Sequence, residues 1–264
     1  MSPKLKITLI QSYVFWEDPQ KNVQQFSIKI NSLNQRTDLI VLPEMFNTGF
    51  SMRTEKITES MTGPTVSWMK KTAEKTGSVI TGSLAVAEDG KIYNRLVWMR
   101  PDGSHVQYDK KHLFSMSGEN KHFTPGDNKL VVDLNGWSIC PMICYDLRFP
   151  VWCRNLENYD LMLFVANWPE KRVQHWRTLL QARAIENQCY VLGVNRVGDD
   201  GGRVYHSGDS MLLHPMGNIL FQKMDEEDTY TATLQKEELE KTRRALPFLE
   251  DADEFTFVSK LKNV

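Results

Sequence analysis

The sequence has almost no net charge, since its 264 residues contain 32 Lys and Arg against 33 Asp and Glu. Proteins that hold nucleic acid by its phosphates need a basic surface, which a balanced chain does not provide by composition. We therefore expect no nucleic-acid partner. The hydrophobic fraction of 41% instead favours a packed globular core.

Long apolar runs are absent as well. No stretch approaches the roughly 20 apolar residues that a membrane-spanning helix requires. Residues 1–6 do not place an apolar run behind a basic segment, as an export signal would. The sequence predicts a cytoplasmic protein without a membrane partner.

Cysteine is scarce, which limits both disulfides and metal sites. The chain contains four cysteines, at Cys140, Cys144, Cys153 and Cys189. Four are too few for a disulfide framework in a chain of this length, so a reducing compartment is expected. Cys140 and Cys144 could begin a zinc site, but no second pair of Cys or His follows at ligand spacing. We expect no metal and no cofactor.

Short apolar runs rich in β-branched residues alternate with amphipathic stretches, which is typical of alternating strands and helices. The predicted strands are residues 5–11, 38–43, 78–86, 93–100, 104–108, 129–133, 137–144, 161–167 and 190–195. The predicted helices are residues 23–33, 66–75 and 174–187, and residues 207–221 are predicted to form a hairpin. Because many of these strands are apolar on both faces, they favour a single α/β domain with layers packed on both sides of a sheet.

Cys144 stands where an apolar run ends, so a strand is expected to pass into a turn or a helix there. A thiol at a helix N-terminus faces free backbone N–H groups, which lower its pKa and can stabilise an oxyanion. Cys144 is therefore a candidate nucleophile. The alternative is a small buried core residue, which is the usual role of an intracellular cysteine.

Two charged residues follow other predicted strands. Glu44 comes directly after a strand that ends at Pro43, where functional groups gather in layered sheets, and a partly dry carboxylate could accept a thiol proton. Its alternative role is a helix or loop cap. Lys110 and Lys111 follow the strand at 104–108, and in an extended segment only one of them can face inward. The pair is thus compatible with an active-site cation, although adjacent lysines normally lie on a solvated surface.

His112 suggests a competing Cys–His mechanism, in which imidazole activates the thiol. The surroundings of Cys144 lack the sequence pattern of papain-like proteases, so we do not favour this mechanism.

The three sites together resemble the carbon-nitrogen hydrolase (nitrilase) superfamily. The resemblance covers nearly the whole chain and depends on residues 42–50 (LPEMFNTGF), 109–114 (DKKHLF) and 143–150 (ICYDLRFP). Residues 93–94 (YN), 125–127 (PGD), 166–169 (ANWP) and 181–187 (QARAIEN) agree as well. Residues 148–155 and 164–169 are more closely similar to the omega-amidase branch. The resemblance implies a four-layer α-β-β-α sandwich that forms a homodimer.

We expect one domain over residues 1–264, in which residues from about 235 to 264 form an extension that packs on the domain or on the dimer partner. The resemblance assigns catalysis to Glu44, Lys110 and Cys144, and it implies a second glutamate, for which Glu119 is the candidate.

The implied reaction is hydrolysis of a small terminal amide through a cysteine thioester. The substrate would be a 2-oxo dicarboxylic acid monoamide such as 2-oxoglutaramate or 2-oxosuccinamate. The backbone N–H of Tyr145 would bind the oxyanion with Lys110. Arg148 would bind a substrate carboxylate, and its alternative role is to pair with Asp146 or with a neighbouring strand end. The candidates for the pocket wall are Phe46, Asn167 and Trp168. Nitrile hydrolysis, N-carbamoyl hydrolysis and an inactive dimeric scaffold are the alternative functions.

Overall fold

The computed structural model describes residues 3–257, which form two β-sheets with helices on their outer faces. The strands are β1 (Lys4–Gln11), β2 (Leu39–Val41), β3 (Val79–Glu88), β4 (Lys91–Met99), β5 (His105–Asp109), β6 (Val132–Leu134), β7 (Trp137–Ile143), β8 (Leu161–Ala166), β9 (Tyr190–Asn195), β10 (Val197–Asp199), β11 (Tyr205–Leu213), β12 (Ile219–Met224) and β13 (Asp228–Gln235). The α-helices are α1 (Pro19–Asn31), α2 (Thr54–Ile57), α3 (Pro64–Thr76), α4 (Glu119–His122), α5 (Val173–Asn187) and α6 (Lys236–Ala245).

The first sheet has the strand order β13-β1-β2-β3-β4-β5, and the second has the order β10-β11-β9-β8-β7-β6 with β12 paired to β11. In each sheet the central strands are parallel, β1 to β2 to β3 and β7 to β8 to β9. The carboxyl ends of parallel strands lie on one edge of a sheet, so the loops after β2 and β7 are available to build a common site.

The alternation of side chains along β2 shows how the layers form. Leu39 and Val41 belong to the hydrophobic cluster between the two sheets, while Ile40 belongs to a second cluster with residues of α1 and α3. This is the two-residue period of a strand whose faces are both covered. Strand β1 contacts β9 and β4 contacts β7 across the sandwich.

Helix α5 covers the outer face of the second sheet. It packs on β9 and β11, and Gly193 of β9 lies so close to it that a Cβ there would be 2.6 Å from Leu180 Cδ1. With α1 and α3 outside the first sheet, the layers run α-β-β-α, which confirms the predicted fold class.

The sequence pattern missed strands β10 and β13 and helices α2, α4 and α6. Strand β13 pairs antiparallel with β1 at the edge of the first sheet, and its residues are mostly half-buried, so it lacks the apolar run that marks the central strands. The predicted hairpin at 207–221 is present as β11 and β12.

Helix α6 packs on its own chain. Its Leu239 is fully buried, Lys236 forms an ion pair with Asp160 at 2.8 Å, and Arg243 donates to the backbone oxygen of Tyr159 at 2.7 Å. Residues 258–264 of the predicted extension lie outside the described part of the chain. None of the helices within residues 3–257 is long and apolar enough to cross a membrane.

Candidate active site

The structure brings together the four residues expected to act in catalysis. Glu44 lies in the loop after β2, Lys110 directly follows β5, Glu119 begins α4, and Cys144 directly follows β7. Both sheets therefore contribute to one site at the ends of their strands. The four residues are separated by up to 100 positions in sequence, and the sandwich is what makes them neighbours.

Lys110 is the centre of a buried ion cluster. Its Nζ lies 2.8 Å from Glu44 Oε1 and 3.0 Å from Glu119 Oε2. All three side chains are at most 1% exposed. Burial alone would lower the pKa of Lys110, but Glu119 and Glu44 together raise the pKa above its ordinary value. The ammonium is thus held in its charged form. Lys111 faces outward to Asp127, as the strand alternation predicts.

Glu119 is held by the backbone as well as by Lys110. Its Oε2 accepts the backbone N–H of Phe114 at 2.5 Å. Burial raises the pKa of Glu119 although Lys110 opposes that rise. The loop from Phe114 to Glu119 is thereby fixed against the ammonium.

Asn94 is a member of the cluster that residue-level reasoning did not single out. Its Nδ2 donates to Glu44 Oε1 at 2.9 Å and to Glu119 Oε1 at 3.2 Å. Asn94 lies in the interior of β4, where the neighbouring positions are mostly apolar and buried. A buried amide in a strand must find partners, so the presence of Asn94 on a strand otherwise rich in apolar residues was the available signal.

Cys144 occupies a strained backbone position. It begins a single 3₁₀ turn, Cys144–Arg148, with a φ of +42°, which is unusual for a residue other than glycine. The turn is anchored by the buried carboxylate of Asp146, whose Oδ2 accepts the backbone N–H of Ile143 at 3.1 Å.

The expectation of a lowered thiol pKa is wrong. Burial and then the negative charge of Glu44 raise the pKa of Cys144 well above its ordinary value, more than Lys110 and the Asn167 N–H lower it. A five-residue turn is shorter than a full helix, so its dipole is small beside the effect of burial. The resting thiol is therefore protonated and needs a base.

The second carboxylate oxygen of Glu44 faces the loop after β8. It accepts the backbone N–H of Asn167 at 2.8 Å, and the Asn167 side chain donates to the backbone oxygen of Glu44. Asn167 thus holds Glu44 in place in addition to lining the cavity beside Cys144.

His112 is placed away from the thiol. Its Nδ1 lies 2.8 Å from Asp146 Oδ1, and its ring stacks on Phe149 with centroids 3.7 Å apart. It does not line the cavity onto which Cys144 opens. The geometry therefore argues against the Cys–His alternative.

A cavity of about 760 Å³ opens beside Cys144, Glu44 and Lys110. Among the predicted substrate-binding residues, Tyr145, Arg148, Asn167 and Trp168 line it. Phe46 does not: it is fully buried in the cluster beneath α1 and α3, where it packs against Phe26 and Trp68.

The phenylalanine of this motif that lines the cavity is instead Phe50, whose ring centroid lies 5.1 Å from Lys110 Nζ. Phe46 and Phe50 belong to the same motif, and only the path of the loop after β2 distinguishes a core residue from a wall residue.

Arg148 does not form the ion pair with Asp146 that was its alternative role. Asp146 is already bound by Tyr108 at 2.7 Å and by His112. The Arg148 guanidinium instead lies over the Trp168 ring, 4.6 Å from its centroid.

Within residues 3–257 no group of three His, Cys, Asp or Glu side chains is arranged to hold a metal ion. The cation at the centre of the site is the Lys110 ammonium, which donates to Glu44 and Glu119.

The sequence model described as carbon-nitrogen hydrolase matches residues 6–244. The chain belongs to this family, as its resemblance predicted. It is 44% identical over 252 residues to a protein named omega-amidase YafV from Yersinia enterocolitica, with 95% of this chain and 98% of that protein covered. It is 30% identical to the 2-oxoglutaramate amidase of Bacillus subtilis, over 94% of this chain and 97% of that enzyme.

Solved structures agree with the fold. A CN-hydrolase superfamily protein of Xanthomonas campestris, whose crystal structure carries an arsenic adduct in the active site, is 40% identical and superposes with a TM-score of 0.95. That match covers 97% of this chain and 100% of the other. Nit3 of Saccharomyces cerevisiae, from branch 10 of the nitrilase superfamily, matches with a TM-score of 0.83 at 26% identity, over 92% of this chain and 94% of that one.

Proposed function

We propose that the protein hydrolyses the terminal amide of 2-oxo dicarboxylic acid monoamides, such as 2-oxoglutaramate and 2-oxosuccinamate, to the acid and ammonia. The observation that carries this proposal is the opening of the Cys144 thiol onto a cavity whose wall also presents Glu44 and Lys110. The names of the omega-amidase and 2-oxoglutaramate amidase relatives support the choice of substrate.

In the first step the Cys144 sulfur attacks the amide carbon and its proton passes to Glu44. Glu44 Oε1 already accepts from Lys110 and Asn94, whereas Oε2 accepts only the Asn167 N–H among the described contacts. Oε2 thus retains acceptor capacity for the thiol proton. Because the thiol is protonated at rest, the base is needed at the moment of attack.

The tetrahedral intermediate places negative charge on the former amide oxygen. Lys110, held charged by its two carboxylates, and the backbone N–H of Tyr145 are the donors that we assign to this oxyanion. Removing one such preorganised donor commonly raises the activation barrier by about 3 kcal/mol. Glu44 then returns its proton to the amide nitrogen, and ammonia leaves with formation of the Cys144 thioester.

Water completes the cycle. Glu44 accepts a proton from a water molecule that attacks the thioester carbon. The carbon–sulfur bond then breaks, the acid is released, and Glu44 returns its proton to the Cys144 sulfur. Glu119 and Asn94 act as positioning residues in this scheme, because they hold Lys110 and Glu44 without contacting the reacting carbon.

A substrate panel tests the proposal. Ammonia release from 2-oxoglutaramate should exceed that from glutamine, asparagine, a simple nitrile and an N-carbamoyl amino acid. A preference for the nitrile or the carbamoyl compound would overturn the substrate assignment and keep the thiol mechanism. No turnover of any of these compounds, together with no mass increase at Cys144 after acid quenching, would favour an inactive scaffold.

We also propose, from the resemblance, that the protein works as a homodimer in the cytoplasm, without nucleic-acid or membrane partners. Light scattering coupled to size exclusion would measure the assembly directly, and a mass near 30.6 kDa, that of a single chain, would contradict the dimer.

A further inference from the structure

We infer that Arg172 and Arg148 together form a two-arginine site in the cavity that binds the carboxylate end of the substrate, which makes Arg172 a specificity-determining residue. This inference rests on the proposed amidase function and deepens it, because it identifies the feature that distinguishes acid amides from neutral amides.

The two arginines belong to different elements and are joined by Trp168. The Arg148 guanidinium lies over the Trp168 ring, while the Trp168 Nε1 donates to the backbone oxygen of Arg172 at 2.8 Å. Both arginines line the same cavity as Cys144. The Arg172 guanidinium lies 5.4 Å from the ring centroid of Phe114, on the loop that holds Glu119.

Neither guanidinium has an acidic partner among residues 3–257. Arg148 contacts the imidazole of His175, with 3.3 Å between Nη2 and Nδ1, and no ion pair in this part of the chain includes Arg148 or Arg172. Arg53, which lines another part of the cavity, is paired with Glu17.

Two half-buried cations without a counter-ion are unfavourable in the free protein. Burial, and then repulsion from Arg172, lower the pKa of Arg148. Such a pair produces a local positive potential, which an anion would neutralise. Buried charges in proteins are normally paired, so the pairing partner is expected to arrive with the ligand.

The chemistry of the ligand follows from the geometry of guanidinium. Its planar array of N–H donors matches the two oxygens of a carboxylate, and a 2-oxo group next to that carboxylate adds a third acceptor in reach of the second arginine. A substrate that presents its amide to Cys144 and a 2-oxo acid to the arginines would satisfy both ends of the cavity.

Kinetics on a matched pair of amides tests this inference. Succinamate and butyramide have the same length, but succinamate ends in a carboxylate where butyramide ends in a methyl group. Arg172→Gln should lower kcat/KM for succinamate about 10- to 100-fold, mainly through KM, since hydrogen bonds to charged groups contribute about 1.5–3 kcal/mol. The same variant should change kcat/KM for butyramide less than about fivefold, which is the limit of an ordinary surface charge effect.

Two further variants sharpen the result. Lys71→Gln removes the same charge from an exposed residue of α3 that does not line the cavity, and it should leave both amides nearly unaffected. Arg172→Lys keeps the charge without the planar donors. Its kcat/KM for succinamate should lie between the values of Arg172→Gln and of the unmodified protein. Equal losses on both amides, or no loss on succinamate, would overturn the assignment of Arg172.

Binding separates this inference from the amidase proposal. Calorimetry with glutarate, a dicarboxylate, needs no turnover, and Arg172→Gln should weaken its Kd at least tenfold. If the unmodified protein released ammonia from no amide, the amidase proposal would fail while this measurement still decided the arginine site. An unchanged Kd for glutarate, or no binding of glutarate to the unmodified protein, would overturn the two-arginine site.

Discussion

The ammonium of Lys110 lies 2.8 Å from Glu44 Oε1 in a site where neither side chain is more than 1% exposed. A second carboxylate, Glu119, lies 3.0 Å from the same nitrogen. One cation thus lies between two buried carboxylates, so the stability of the fold and the geometry of the site both depend on it. Losing the cation would leave like charges facing each other without solvent.

Lys110→Met should therefore abolish ammonia release and reduce the free energy of unfolding by about 3–5 kcal/mol, the usual consequence of breaking a buried ion pair on one side. Urea denaturation followed by fluorescence measures the second effect. Lys111→Met is the matched control, because Lys111 pairs with Asp127, which is 87% exposed. A surface pair contributes at most about 1 kcal/mol. Similar unfolding free energies for the two variants would contradict the cluster described above.

Glu44→Gln should change hydrolysis and thiol reactivity in opposite directions. Glu44 raises the pKa of Cys144, so its neutral replacement should lower that pKa and increase the thiolate fraction at a given pH. Hydrolysis should fall at least 100-fold because the base is gone. Alkylation by iodoacetamide should become faster, and its pH profile should move to lower pH.

Cys144→Ala in the same alkylation assay identifies the thiol that is measured, because the other three cysteines are buried. Slow labelling of the unmodified protein at neutral pH is the expected result for a raised pKa, so it does not indicate inactivity. A profile that moved to higher pH in Glu44→Gln would contradict the electrostatic role of Glu44.

Local patterns predicted a single α/β domain with covered sheets and marked Glu44, Lys110 and Cys144 as candidates, because strands with two apolar faces and charged or thiol residues at strand ends are local features. The four-layer arrangement and Glu119 followed only from the family resemblance. The sequence contained Asn94 in a motif of that resemblance but could not predict its role, which depends on Glu44 and Glu119 approaching the same amide from two distant segments. It also could not distinguish Phe46 from Phe50, nor the pKa direction of Cys144, since burial is a property of the assembled sandwich.

Asn94→Leu tests the residue that sequence reasoning missed. Leucine has a similar volume, but it removes donors to both carboxylates, and each hydrogen bond to a charged group contributes about 1.5–3 kcal/mol. We expect kcat to fall about tenfold or more and the free energy of unfolding to fall by about 2–4 kcal/mol. Asn94→Asp should lower both kcat and the free energy of unfolding further, because a third carboxylate would enter the cluster. Retention of full activity by Asn94→Leu would contradict a positioning role.

Gly126 shows how the loop before β6 supports Lys110. The Gly126 N–H donates to the Lys110 backbone oxygen at 3.0 Å, and a Cβ at position 126 would lie 2.2 Å from the backbone oxygen of Asp109. Backbone atoms cannot rotate away as a flexible side chain can, so Gly126→Ala must displace either the loop or the end of β5. Because Lys110 follows that end directly, its ammonium would move with it.

We expect Gly126→Ala to lower kcat at least tenfold and to destabilise the fold by about 1–3 kcal/mol, the usual range for overpacking. Gly202→Ala is the comparison for stability, since its nearest contact is a side-chain atom, Asp200 Oδ1 at 3.3 Å, and it should have little effect on the free energy of unfolding. If Gly126→Ala lost stability but kept its kcat, the contact would support the fold without setting the position of Lys110. Loss of kcat with an unchanged free energy of unfolding would instead mean that the substitution acts only by displacing the Lys110 ammonium.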